Sequence, residues 1–274
     1  MKSFWNLLKR NKQLAISLIL LSMIILVALF AEKFAPFDPL DADMDKSLIA
    51  PNEINKLGTD KLGRDLLSRV IFGTRASLGS TMIMVGIIFV VGTLLGMIAG
   101  FFGGWIDPII MRLADMMISF PGLVLAIAIA GVLGPNLTNA VIAITAVSWT
   151  KYARLSRSLV LRLKKNVYMT AALVTGVRNR RLMTHYVFPN IFSTMLITAM
   201  TDIGTLMLEI ASLSFLGFGA QAPTPEWGLM LNEGRTYLAT APWLMIYPGL
   251  AIAIVVITFN LLGDSISDLM EPPH

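Results

Sequence analysis

Cysteine is absent from this chain, and charged residues are scarce. Of the 274 residues, 14% are charged and 55% are hydrophobic. Without cysteine, neither a disulfide nor a cysteine-ligated zinc site can form. Because soluble domains carry about 25% charged residues, the composition is that of a membrane protein. We therefore expect an all-α membrane protein, built as a bundle of helices.

Several catalytic motifs are also missing. The chain has no G-x-x-x-x-G-K-[ST] phosphate loop, so we do not expect it to hydrolyse ATP itself. Its two histidines, His185 and His274, form no H-E-x-x-H zinc motif, and no G-x-S-x-G nucleophile elbow occurs. These absences favour a transport or scaffold component over an enzyme, with no metal site and no cofactor of its own. The net charge of +5 need not indicate a nucleic-acid partner.

Long apolar runs are present instead, and a membrane span takes about 20 such residues. Six candidate spans occur, at residues 14–30, 78–102, 109–133, 137–149, 191–215 and 243–262. The first run is longer than the apolar region of a typical signal peptide, so we interpret it as an uncleaved span rather than a cleaved signal. A Gly-Pro-Asn turn separates the third span from the short fourth one. We divide the chain into residues 1–76, a span plus an outer segment, and residues 77–274, a core with five spans.

Charge predicts the orientation of these spans. Residues 1–13 and the loop 151–189 carry Lys and Arg without any acid, whereas residues 32–77 mix acids with bases. Because cytoplasmic loops are enriched in cations, both termini and the loop 151–189 should be cytoplasmic. Two outer segments, LGTDKLGRD (57–65) and APTPEWG (222–228), are either docking surfaces or ordered connections, and a short amphipathic helix is expected near residues 229–238.

Charged residues also occur inside the apolar spans, where they are costly and suggest function. Asp202 and Glu209 lie seven residues apart on one face of the fifth span. They either line a path for cationic cargo or form hydrogen bonds between helices. Arg112 and Asp115 are close enough to pair on one helix, and Pro121 should kink or end that helix.

Four glycines form a stripe of small residues on the second span, spaced four residues apart: Gly92, Gly96, Gly100 and Gly104. Such a stripe allows the backbones of two helices to approach closely. We expect it to serve packing, and a conduit-lining role is the alternative.

The loop 151–189 should contain two helices. The first, ARLSRSLVLRLKK, has the pattern of a basic amphipathic helix at the membrane surface. The second, YMTAALVTG, presents Ala171 and Ala172, whose small side chains suit a helix lying flush in a groove of another protein. Gly176 should end it, and Pro189 can begin the fifth span.

This second helix resembles the cytoplasmic coupling motif of bacterial ABC importer permeases, Glu-Ala-Ala-x3-Gly-x9-Ile-x-Leu-Pro. Ala171, Ala172, Gly176 and Pro189 match at the expected spacing, whereas Thr170 replaces the glutamate. Tyr186 and Phe188 replace the isoleucine and the leucine of the motif.

Four further blocks resemble one branch, the C-type permeases of the dipeptide, oligopeptide and nickel importers. They are LGTDKLGRDLLSR (57–69), MRLADMMISFP (111–121), LSFLGFGAQAPTPEWG (213–228) and FNLLGD (259–264). Ser267 departs from this pattern, since the branch usually has arginine there. The resemblance thus covers most of the chain and implies a six-span permease bundle with a cytoplasmic coupling helix at 168–176, in a bacterial cytoplasmic membrane.

The resemblance also implies partners: a homologous second permease, two ABC ATPases that carry ATP and magnesium, and an extracytoplasmic solute-binding protein. On that basis, coupling is assigned to the helix and its flanking cations, namely Thr170, Ala171, Ala172, Gly176, Arg178, Arg180 and Arg181. Docking of the binding protein is assigned to Asp60, Arg64, Asp65, Glu226 and Trp227. The cargo would be a peptide, nickel or a metal chelate. The alternative is a secondary transporter or channel that needs no ATPase.

Overall fold

The computed structural model of the protein describes residues 11–270, with side chains as far as Leu269. The expected N-terminal cations up to Arg10, and His274, lie outside these residues. Within this range the chain is helical, apart from loops and one isolated bridge between Thr59 and Asp65, which confirms the all-α fold. The principal helices are α1 (Lys12–Leu29), α2 (Leu66–Phe102), α3 (Ile106–Ile118), α4 (Gly122–Leu133), α5 (Leu137–Leu163), α6 (Val167–Val174), α7 (Asn179–Phe215), α8 (Trp227–Gly234) and α9 (Trp243–Met270).

Four of these helices, α1, α2, α7 and α9, are long and apolar enough to cross a membrane. The helices α3 and α4 together make a fifth candidate, and they are bent by 90° where they meet. Pro121 lies in this break, which confirms the expected end of the helix, since proline clashes with the preceding turn. By apolar length, the described residues therefore contain four or five spans, where the sequence suggested six.

The helix α5 differs from its sequence prediction. The expected fourth span, 137–149, and the expected basic surface helix after it are one continuous helix of 27 residues. Because an α-helix rises about 1.5 Å per residue along one axis, the cationic second half of α5 extends beyond the apolar first half in the same direction. The helix predicted for residues 153–165 is confirmed as far as Leu163, but the prediction that it is separate from the fourth span is wrong. The turn before α5 is confirmed, and the Asn139 side chain donates to the carbonyls of Leu133 and Gly134 there, at 2.8 and 3.0 Å.

The chain forms two compact units. The first contains residues up to 83, residues 130–141 and residues from 200 onward, and the second contains residues 84–129 and 142–199. In the first unit, α1 and α8 both pack on α9. The α8 helix and a following 3-10 turn confirm the short helix expected near residues 229–238.

In the second unit, the glycine stripe brings the backbones of α2 and α5 together. A Cβ atom added at Gly92 would lie 2.5 Å from the Cβ of Tyr152, and one at Gly100 would lie 2.9 Å from the Cβ of Val160. One at Gly96 would lie 2.7 Å from the Cβ of Ser156, and this serine donates a hydrogen bond to the Thr93 carbonyl at 2.9 Å.

Close packing by the stripe is therefore confirmed at Gly92, Gly96 and Gly100, and the contact leaves no room for a conduit there. The fourth glycine behaves differently. Gly104 lies just beyond the end of α2 and has a φ of +55°. A Cβ atom added there would have no neighbour within 4 Å. Gly104 separates α2 from α3 rather than packing against α5.

The fifth span begins earlier than expected. Its α-helical part starts at Phe188, with Pro189 in the first turn as expected. A π-helical stretch, Leu182–Val187, and a short turn at Asn179–Arg181 precede it without a break. Because proline offers no N–H and its ring crowds the preceding turn, the wider π turn lets the helix continue through this position.

Replacing Gly96 with valine should separate α2 from α5. The added atoms meet the Ser156 side chain and the Ala153 carbonyl, so we expect a loss of about 1–3 kcal/mol in the free energy of unfolding, measured by thermal unfolding in detergent. Gly86→Val is the matched control, since it lies on the same helix and has no neighbour within 4 Å of its added Cβ. Equal losses in the two variants would contradict the close contact.

Candidate functional site

The helix α6 presents one open face. Met169 and Ala172 are buried, whereas Val167 and Val174 are 85% and 83% exposed. Thr170 and Ala171 are also exposed and lie between these valines. Tyr168 and Leu173, 43% and 44% exposed, border this face on either side. Val167, Thr170, Ala171 and Val174 follow the i, i+3, i+4, i+7 spacing of a single helix face. We call them the α6 face: Val167, Thr170, Ala171 and Val174.

This face is small and mostly apolar, which is unusual for an exposed surface in a loop rich in cations. Two of the sequence-predicted coupling residues, Thr170 and Ala171, lie on it, while Ala172 points into the protein and anchors the helix. The Thr170 hydroxyl donates to the carbonyl of Asn166 at 3.4 Å, a weak bond within its own helix. Thr170 therefore leaves the face uncharged where the family motif has a glutamate.

The end of α6 is built by Gly176. The N–H of Gly176 donates to the Leu173 carbonyl at 3.1 Å, and the N–H of Val177 donates to the Ala172 carbonyl at 3.2 Å. These two bonds are a Schellman motif, which needs a residue with positive φ, and Gly176 has a φ of +78°. An added Cβ would meet no atom within 4 Å, so backbone conformation rather than space favours glycine here.

Beyond Gly176, the predicted cations Arg178, Arg180 and Arg181 are all exposed. They surround the start of α7 with positive charge. Of the seven predicted coupling residues, Ala172 is buried and supports the helix, and the other six are exposed.

The cationic half of α5, just before α6, is held by acids on α3. Arg157 forms two hydrogen bonds with the Asp107 carboxylate, at 2.5 and 2.6 Å, and Arg154 pairs with Asp115. The predicted pairing of Asp115 with Arg112 is therefore wrong, because Asp115 pairs with Arg154 of the neighbouring helix. Lys164 donates to the Phe101 carbonyl at 3.0 Å. These bonds fix the end of α5 from which α6 departs.

Sequence reasoning missed the pair of Asp107 and Arg157, which lie 50 residues apart. The only available signal was that Asp107 stands alone between the second and third spans, opposite a loop containing many cations.

In the first unit, the five residues assigned to docking are buried. They are Asp60, Arg64, Asp65, Glu226 and Trp227. Their side chains cannot form an outer contact surface in this conformation, since they are enclosed by the protein. Asp65 accepts from the Ser68 hydroxyl at 2.7 Å and from the Asn55 amide at 2.9 Å, which ties the loop to the start of α2.

Asp60 and Arg64 belong to a cluster of five charged side chains, in which the more exposed Lys61 lies 3.5 Å from Glu233 at the edge. Arg64 lies 2.6 Å from Asp60 and 3.3 Å from Glu233, and Arg69 lies 3.4 Å and 3.2 Å from the same two acids. Buried charges are tolerated when they are paired, and here each guanidinium contacts both carboxylates. The cluster ties the segment 57–65 to α2 and α8.

Glu226 begins α8. Its carboxylate accepts from the N–H groups of Gly228 and Leu229, at 2.9 and 2.8 Å, and from the Ser77 hydroxyl at 3.1 Å. Burial raises the pKa of Glu226, although these hydrogen bonds act to lower it. Next to it, Trp227 donates its indole N–H to the Val70 carbonyl at 3.0 Å. The segments 57–65 and 222–228 are therefore an ordered framework packed on α2.

The two predicted path residues, Asp202 and Glu209, are half-buried on α7 in the first unit. Near them, α7 and α9 approach closely, since a Cβ added at Gly204 would lie 3.1 Å from the side-chain oxygen of Asn260. Within residues 11–270, no three His, Asp or Glu side chains are grouped as the ligands of a metal ion would be.

Replacing Glu226 with alanine should release α8 from the framework formed by the segments 57–65 and 222–228. Loss of a helix cap costs about 0.5–2 kcal/mol, and the buried N–H groups of Gly228 and Leu229 would be left unsatisfied. We expect lower thermal stability and faster proteolysis of the segment 219–242. Asp43→Ala, which removes an exposed cap of the turn Met44–Lys46, is the control and should leave both measurements nearly unchanged. Equal behaviour of the two variants would rule out a structural role for Glu226.

Comparison with known proteins identifies the family. Residues 92–273 match the family described as binding-protein-dependent transport system inner membrane component, and residues 1–51 match the N-terminal transmembrane domain of oligopeptide transport permease C. A dipeptide transport system permease protein from Alkalihalophilus pseudofirmus is 40% identical, over 97% of this chain and 87% of its own length. The nickel transport system permease protein of Escherichia coli K12 is also 40% identical, over 94% and 93%.

A glutathione transport system permease protein from Pectobacterium atrosepticum is 38% identical, over 99% of this chain and 90% of its own length. Among solved structures, the MetNI methionine ABC transporter in an inward-facing conformation matches with a TM-score of 0.62. That match covers 76% of this chain and 98% of the other at 16% identity, so it supports the fold alone. The chain therefore belongs to the family of binding-protein-dependent inner-membrane transport components and is a permease subunit of an ABC importer.

Proposed function

We propose that the α6 face is the surface on which a cytoplasmic ATPase subunit docks. The observation that carries this proposal is the pair of valines, 85% and 83% exposed, on either side of Thr170 and Ala171. An exposed, mostly apolar helix face with small central residues fits a groove in a partner protein. The full importer would contain two such ATPases, which bind ATP and magnesium, a homologous second permease and an extracytoplasmic solute-binding protein.

The buried side of α6 supports a mechanical role for this docking. Met169 and Ala172 seat the helix in the second unit, and the bonds of Arg157 and Lys164 fix the end of α5 beside it. A displacement of α6 by the ATPase would therefore move α5 instead of bending a loose loop. Because α5 contacts the backbone of α2 along the glycine stripe, α2 would follow, and the bundle would alternate access between the two sides.

The cations around α6 suggest how the ATPase is recognised. With Thr170 in place of an acid, the α6 face supplies apolar contact and no negative charge. Arg178, Arg180 and Arg181 remain exposed beside it, so we expect acidic residues at the rim of the ATPase groove. Rim charges mainly affect the rate of association and its dependence on salt.

The charge distribution supports an orientation with both termini and the loop 151–189 in the cytoplasm. The outer framework of segments 57–65 and 222–228 would then face the solute-binding protein. Because Asp60, Arg64, Asp65, Glu226 and Trp227 are buried, their part in docking would be to hold this framework in shape, and exposed neighbours would make the contact.

For the cargo, we propose a cationic or amine-bearing solute, such as a peptide, nickel or another metal chelate. Asp202 and Glu209 supply negative charge on α7, and acids on a membrane path favour cations. Relatives named for dipeptide, nickel and glutathione transport are similarly close to this chain, so their names do not choose among these cargoes.

Replacing Ala171 with arginine should prevent docking of the ATPase while the permease still folds, because Ala171 is exposed. We expect a loss of about tenfold or more in ATP-driven uptake by proteoliposomes and in co-purification of the ATPases, since central interface positions commonly carry 2 kcal/mol or more. Ala172→Arg would be a poorer choice, because Ala172 is buried.

The matched control is Ala239→Arg, at an exposed alanine in the segment between α8 and α9. It should retain both uptake and ATPase binding. Normal uptake by Ala171→Arg would overturn the proposed docking surface. Uptake by the chain alone without ATP would instead favour a secondary transporter or channel.

A further inference from the structure

The first unit contains an apolar groove that the transport mechanism does not use. It has a volume of about 180 Å³ and lies between α1, α2 and α9, with Met23, Val27, Val70, Thr74, Ala251 and Trp227 among its lining residues. All three helices are among those apolar enough to span the membrane. The groove therefore lies between candidate membrane spans, near the end of α1 that leads to residues 30–77.

The lining of the groove is apolar apart from Thr74 and Trp227, and the polar atoms of these two residues are bonded within the protein. The Thr74 hydroxyl donates to the Val70 carbonyl of its own helix at 3.4 Å, and the Trp227 indole donates to the same carbonyl at 3.0 Å. Neither group is left to bind a polar ligand. Apolar cavities of about 150 Å³ exclude water and take up apolar ligands, so the interior of this groove suits a hydrocarbon chain.

One end of the groove carries an ion pair. Arg75, next to the lining residue Thr74, donates to the carbonyls of Ala28 and Leu29 at 2.6 and 2.8 Å, just beyond Val27 in α1. It also lies 2.9 Å from the carboxylate of Glu32. Both side chains are accessible, at 37% for Arg75 and 74% for Glu32.

The hydrogen-bonding capacity of this pair matches a zwitterionic headgroup. A guanidinium has five N–H donors, and three are used within the part of the chain that the structure describes. Two remain for the oxygens of a phosphate, which Arg binds well. The exposed carboxylate of Glu32 can accept from an ammonium group at the same time, so the pair offers one charge of each sign.

We propose that this groove is a binding site for a phospholipid with an ethanolamine headgroup. One acyl chain lies between α1, α2 and α9, the phosphate contacts Arg75, and the ammonium contacts Glu32. The lipid would belong to the leaflet next to residues 30–77. It would fill the space beside α1, whose spanning window is only 17% buried by the protein itself, and hold this peripheral helix against the rest of the first unit.

The test uses the complete importer complex, purified in mild detergent and analysed by native mass spectrometry with phosphatidylethanolamine and phosphatidylglycerol added in equal amounts. The wild type should retain phosphatidylethanolamine in preference to phosphatidylglycerol. Ala251→Phe fills the groove and should lower retention about tenfold or more, since excluding even two buried methylenes corresponds to that factor. Ala253→Phe is the matched control, because Ala253 is exposed on α9 and does not line the groove, and it should retain the lipid.

Glu32→Gln tests the headgroup separately and alters only an exposed side chain, so it remains informative if Ala251→Phe fails to assemble. Loss of this exposed charge should reduce the preference for phosphatidylethanolamine by about threefold without removing the lipid. Equal retention in the Ala251→Phe and Ala253→Phe complexes, meaning adventitious lipid only, would overturn the proposal. An unchanged preference in Glu32→Gln, or preference for phosphatidylglycerol in the wild type, would overturn the headgroup assignment.

Discussion

The contact between α2 and α5 is the constraint on which the coupling arrangement depends. Glycines at 92, 96 and 100 place the backbone of α2 directly against α5, with no side chain between them that could adjust. Two helices in such contact move together or separate, because packed interiors have little free volume to absorb a shift. Since α5 continues past the apolar region to the turn before α6, an event at α6 acts on a rigid element. A flexible loop in this place would dissipate the same displacement.

The cations of the loop 151–189 fall into two groups, those that bind other groups of the chain and those that are exposed. Arg154, Arg157 and Lys164 have partners within the chain, namely Asp115, Asp107 and the Phe101 carbonyl. The arginines that follow α6 are exposed. Positive charge in loops biases the orientation of membrane proteins, and here some of it also holds α5 against α3. The remaining positive charge surrounds the α6 face, where it is available to a partner.

Local features of the fold were readable from the sequence, because each depends on nearby residues. The glycine spacing predicted the α2 contact, Pro121 predicted the break after α3, and Gly176 predicted the end of α6. The motif around Ala171 predicted a coupling helix, and the exposure of α6 adds that Ala172 is an anchor while Ala171 is available for contact. Features that depend on residues far apart in the sequence could not be predicted from it. The bond from Asp107 to Arg157, the burial of Arg64 among acids from two segments, and the continuity of α5 through its charged half all require the third dimension.

Coverage of the α6 face by an ATPase can be tested directly because the chain has no cysteine. Single cysteines placed at Val167, Ala171 and Val174 would be the only thiols in this subunit, and their labelling by a maleimide can be compared in the free permease and in the complex with its ATPases. A cysteine at Ala239 serves as the reference. If an ATPase covers the α6 face, assembly should protect the three α6 positions and leave position 239 reactive. Equal labelling of the α6 positions before and after assembly would contradict this coverage.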